Sequence, residues 1–175
     1  MTDERREHEP WPLRALILLA LGAASGLLFD RLVRSGESPF FLNWTDDPAR
    51  LSLATFVAIS GLAFAFTLER LRWRWSAAFA LASGAVLGLV HYWNGGPDGA
   101  GADYGWRFFA GLLAIAIAAP LFQTLRDEGG RLPYPAAHAH GWANVVLWFA
   151  GWGFVLVAWL LVLLLAALFE LIGIE

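Results

Sequence analysis

The chain has no cysteine and no lysine, and none of its five long apolar runs contains an acid or an arginine. Without cysteine there is no disulfide framework, no thiolate nucleophile and no thiolate metal site, and thiol usage says nothing of the redox compartment. The 12 basic residues are all Arg and lie near the ends of the runs rather than in a stripe, which argues against nucleic acid as a partner. Charged residues are scarce at 15%, against roughly 25% in soluble domains. That scarcity leaves more apolar surface than one water-surrounded core can hide. Ion-coupled transport usually places Asp, Glu, Arg or His at membrane depth, and Asp30, Arg31, Glu69, Arg70 and Arg14 instead stand at run ends where they can snorkel, which argues against a proton relay.

What is present is length without charge. Ala15–Phe29, Leu51–Leu68, Ser76–Trp93, Phe108–Leu125 and Gly141–Phe169 are strongly apolar. A helix crosses a ~30 Å hydrocarbon layer with about 20 residues rising ~1.5 Å each, so each run suffices with a turn borrowed at its ends. The expected fold is an all-α integral membrane bundle of five transmembrane helices, near 13–33, 50–69, 75–93, 105–125 and 139–169, in a single domain over 1–175. The lengths and the lack of alternation argue against a barrel.

Local punctuation supports these boundaries. Pro12 suits the first turn of helix 1 and Ser35-Gly36 follows its end. Asp47-Pro48 reads as N-cap and first residue of helix 2, Asn94-Gly95-Gly96-Pro97 ends helix 3, Asp103 caps helix 4 and Gly129-Gly130 ends it. The leader mixes Asp3, Glu4, Glu7 and Glu9 with Arg5, Arg6 and Arg14, unlike the basic start of a signal peptide, so the first run reads as a retained helix. Trp11, Trp44, Trp73, Trp75, Trp93, Trp106, Trp142 and the three Tyr lie at run ends, as in an aromatic belt. Counting Arg on alternate sides gives eight against four, which predicts a cytoplasmic N-terminus.

Close helix contacts in lipid require small residues. Gly22-xxx-Gly26, Gly61-xxx-Ala65, Gly84-xxx-Gly88 and Ala110-xxx-Ala114-xxx-Ala118 meet that need, although so Gly-rich a chain produces such spacings by chance. Pro120 is a candidate kink in helix 4, with Gln123-Thr124 as polar groups near its end.

Three groups of residues are candidates for function. His91 and Asn94 close helix 3 while His138, His140 and Asn144 open helix 5; these ends fall on opposite membrane faces, so a combined metal or acid–base site is excluded. His138 and His140 alone are two apart and diverge on a helix, and the nearest acids, Asp127 and Glu128, lie across Gly129-Gly130 and Pro133. Interfacial solvation is the plainer reading of both imidazoles. Asn144 lies about one turn inside the membrane and needs an amide or carbonyl partner from another helix. Arg70, Arg72 and Arg74, with Trp73 and Trp75, form the densest basic segment and are read as contacts to anionic lipid headgroups, with a generic positive-inside anchor explaining the same residues.

Trp148, Trp152 and Trp159 recur at spacings of four and seven, hence along one stripe of helix 5, and are read as a packing face toward this bundle or further transmembrane helices. The 29-residue run that holds them is ~43 Å long and must tilt or begin at the interface. In the loop after helix 1, Pro39–Leu42 is an apolar patch and Asn43-Trp-Thr45 matches a glycosylation acceptor. No cofactor is expected.

Leu132-Pro-Tyr134, His138-Ala-His-Gly-Trp-Ala-Asn144 and the Trp/Leu-rich helix from Trp159 to Ile174, together with Trp11-Pro-Leu-Arg14 before the first helix, resemble the bacterial inner-membrane family known as domain of unknown function 4153 (DUF4153). The resemblance spans the chain loosely and Leu132–Ile174 more specifically. It implies a polytopic protein of the bacterial inner membrane, with no catalytic residues to carry over, of which this chain is the N-terminal part. The expected function is a non-enzymatic membrane module. The competing expectations are the N-terminal part of a transporter or flippase and an intramembrane enzyme using His138, His140 and Asn144.

Overall fold

The computed structural model describes residues 13–34, 47–94 and 102–172, the side chains of 102–104 and 172 excepted. Pro12, Trp11, Trp44, Ser35-Gly36, the Pro39–Leu42 patch, the Asn43-Trp-Thr45 acceptor, Gly95-Gly96-Pro97 and the Asp103 side chain lie outside the described residues.

Among the described residues five helices follow in order: α1 Leu13–Val33, α2 Pro48–Thr67, α3 Trp73–Asn94, α4 Ala102–Asp127 and α5 Tyr134–Ile172. Among the described residues 91% are helical and none is in a strand, and all five helices are long and apolar enough to cross a membrane. The fold is all-α. Local chemistry sets several ends. Asp47 caps α2, its Oδ1 accepting from the Ala49 N–H at 2.9 Å, with Pro48 in the first position where a missing N–H costs nothing. Gly129 (φ +63°) and Gly130 (φ +94°) close α4: the Gly130 N–H reaches back to the Leu125 carbonyl at 2.8 Å, as in a Schellman end.

The helix α5 starts at Tyr134, five residues before the expected start at 139, with Ala137 N–H donating to the Pro133 carbonyl at 3.1 Å. The His-containing segment is therefore helical, and α5 runs for 39 residues. At ~1.5 Å per residue that is about 58 Å, well beyond a ~30 Å hydrocarbon layer. Its first turns or its tilt must absorb the difference.

The chain divides into two compact units, one reaching to Ala119 and one beginning at Pro120. In the first, α2 packs chiefly on α3 and secondarily on α1. The buried residues are mostly small or hydroxylic: Ala54, Ala63, Thr67, Ser76, Ala80 and Ser83, with Leu68 and Leu87 the largest. Lipid gives helices no hydrophobic reason to associate, so close approach and interhelical hydrogen bonds must do it. A Cβ on Gly84 would lie 2.7 Å from the Phe56 carbonyl and nearer still to the Ser60 hydroxyl, and one on Gly88 3.1 Å from the Ser52 carbonyl. Gly84-xxx-Gly88 is thus the seam of the α2–α3 pair.

The other small-residue spacings divide. A Cβ on Gly61 would lie 3.2 Å from the Ser25 hydroxyl of α1, whereas Gly22 and Gly26 face open space and, with Ser25, Phe29 and Ala58, line an open notch of about 250 Å³. Ala110 and Ala114 of α4 are exposed, and the contact with α3 is made one residue on, at Gly111, which receives the Leu87 side chain.

Candidate functional site

The two ends of the first unit treat their arginines differently. At the end where α1 stops and α2 starts, Arg34 pairs with Asp30 at 2.7 Å, and Arg50 donates to the carbonyls of Arg31 and Arg34 at 3.1 and 3.2 Å. Arg50 thereby satisfies carbonyls that the end of α1 leaves without helical donors. At the same end Arg107 donates to the Asn94 side chain, whose own amide bonds the Val90 carbonyl at 2.9 Å. Nearby, Thr55 and His91 meet at 3.3 Å and the His91 ring stands edge-on to Phe108. These cations and amides are occupied by the fold.

At the opposite end, α2 and α3 are joined by Leu68–Arg72. Thr67 and Ser76 are buried and linked, the Ser76 hydroxyl donating to the Thr67 carbonyl at 2.6 Å, which closes the hairpin from inside. Arg70, Arg72 and Arg74 are all exposed, as are Trp73 and Trp75. Arg74 lies 5.9 Å from the centre of the Trp73 ring, a cation–π contact, and no other side-chain partner holds the three guanidinium groups among the described residues.

The second unit contains an antiparallel polar ladder between the end of α4 and the start of α5. Asn144 Nδ2 donates to Gln123 Oε1 at 2.9 Å, and one turn nearer the loop His140 Nε2 lies 3.4 Å from Asp127 Oδ2, while Asp127 Oδ1 accepts from Arg126 Nε at 2.8 Å. Gln123 and Thr124 are buried, and Thr124 donates back to the Pro120 carbonyl at 2.8 Å. The tight Gly129-Gly130 turn brings Asp127 to His140, although Gly129, Gly130 and Pro133 separate them in sequence. His138 points elsewhere, stacked on Tyr134 at 5.7 Å. The three polar candidates therefore face three different partners. Among the described residues no group of three His, Cys, Asp or Glu is placed to hold a metal ion.

Trp148 and Trp152 form an edge-to-face pair at 5.8 Å, and these two and Trp159 are exposed. Sequence reasoning had no signal for Gln123 as the partner of Asn144 beyond its polarity near the end of a run, and none for Arg50 as a cap on α1. Both depend on how the chain turns back.

No protein-family model matches the chain, nor does any curated protein or solved structure.

Proposed function

We propose that the chain is a non-enzymatic helical module of a bacterial inner membrane with its N-terminus in the cytoplasm. The supporting observation is where its polar side chains go. Ser52, Thr55, Ser76, Gln123 and Asn144 bond to a neighbouring helix, and His138 and His140 face separate partners, so among the described residues no set of groups converges on a reacting atom. The eight-to-four division of Arg supports the orientation. It is reinforced at the four-arginine end, where Arg34, Arg50 and Arg107 serve as internal partners. The resemblance to DUF4153 supports the bacterial membrane. In this reading Trp148, Trp152 and Trp159 form a face for further transmembrane helices of the same or another chain, and lipids are the remaining partners.

Metal analysis tests the non-enzymatic reading. Protein purified from membranes should carry far less than one transition-metal ion per chain, and a chelator should leave its unfolding temperature unchanged. One bound ion per chain, lost in His138→Ala or His140→Ala, would overturn it.

A further inference from the structure

We propose that the α2–α3 loop binds the phosphate headgroup of an anionic phospholipid through Arg70, Arg72 and Arg74. The contrast between the two ends of the first unit carries the argument. Three of the four arginines at one end, Arg34, Arg50 and Arg107, have a carboxylate, carbonyl or amide acceptor, whereas the three loop arginines present their charge outward with, among the described residues, only the Trp73 ring against one of them. Three exposed guanidinium groups within five residues attract an anion, and their planar forks match phosphate oxygens.

The surroundings favour a lipid over a free anion. Leu71 is 76% exposed and lies between Arg70 and Arg72, and the indoles of Trp73 and Trp75 project beside them. A soluble phosphate would leave that apolar collar in water, whereas a phospholipid covers the indoles and Leu71 at the depth where its headgroup meets the arginines. The backbone contributes in the same sense. The first N–H groups bonded to the Arg72 carbonyl are those of Trp75 and Ser76, so the N–H groups of Trp73 and Arg74 precede the helical ladder. They open a 22-residue helix whose dipole favours negative charge there. Arg72 stands at the cap position, and its side chain has no acceptor to offer them.

Native mass spectrometry of the full chain in neutral detergent, with phosphatidylglycerol and phosphatidylcholine in equal amounts, tests the site. The wild type should retain phosphatidylglycerol at least about tenfold more than phosphatidylcholine. The triple variant Arg70→Gln, Arg72→Gln, Arg74→Gln should retain both alike. Arg14→Gln, Arg31→Gln, Arg131→Gln removes the same charge elsewhere and should keep the wild-type preference. If the loop variant does not fold, a salt titration of the wild type decides: the preference should collapse by about 0.5 M NaCl, where screening is short-ranged. Retained preference in the loop variant, equal loss in the control triple, a salt-independent preference, or displacement of the lipid by inorganic phosphate would each overturn the proposal.

Discussion

Ser52 of α2 donates its hydroxyl hydrogen to the Gly88 carbonyl of α3 across 2.6 Å. Gly88 permits the approach, since a Cβ there would sit 3.1 Å from the Ser52 carbonyl. The bond is part-buried and spans two helices. Ser52→Ala should therefore destabilise the protein by about 0.6 to 1.7 kcal/mol, the range of interhelical hydrogen bonds in membranes. Reversible unfolding in detergent and denaturant measures it. No loss would mean that the α2–α3 pair is held by close packing alone.

Gly84 and Gly22 have the same sequence signature and opposite surroundings. Gly84→Ala places a methyl against the Phe56 backbone at 2.7 Å and should cost about 1 to 3 kcal/mol as overpacking. Gly22→Ala meets nothing within 4 Å and should be neutral or stabilising by up to about 1 kcal/mol through helix propensity. Comparing the two unfolding curves checks the assignment. Equal effects would show that Gly84 does not lie at the contact.

That pair also marks what the sequence can and cannot express. The Asp47-Pro48 start and the Gly129-Gly130 stop are legible because capping is local chemistry between residues two to five apart. The five spans are legible because hydrocarbon demands length and apolarity and little else. Which small residues form contacts is not legible, because a helix apolar on all sides carries no directional mark. The Ala110-xxx-Ala114-xxx-Ala118 ladder looked as good as Gly84-xxx-Gly88, yet α4 meets α3 at Gly111, one residue and about 100° around the helix away. The helix α5 begins at Tyr134 rather than at the expected 139 for a related reason. Apolarity marks where lipid begins, whereas Pro133-Tyr134-Pro135 marks where the helix begins, and His138 and His140 fall between the two.

The Gln123–Asn144 rung should show energetic coupling. Gln123→Leu and Asn144→Leu should each destabilise, and the double variant should lose less than their sum by about 0.6 to 1.7 kcal/mol. A double-mutant cycle in detergent reads this directly. Additive losses would mean that the two amides act through other neighbours.

Trp152 is expected to face protein in the native membrane through the stripe it shares with Trp148 and Trp159. Single-Trp variants in brominated lipid should show weak quenching at Trp152 relative to the interfacial Trp142 probed with bromine near the headgroup. Strong quenching of Trp152 by mid-chain bromine would place the stripe in lipid.

The central claim, five spans with a cytoplasmic N-terminus, is tested most directly by thiol accessibility, which the absence of native cysteine makes clean. Single-cysteine probes at Ser38 and Gly99 should react with a membrane-impermeant maleimide in intact cells. Leu71→Cys and Leu132→Cys, which replace exposed loop leucines, should react only after the membrane is opened. The reverse pattern would invert the orientation, and labelling of all four in intact cells would contradict the five-span arrangement itself.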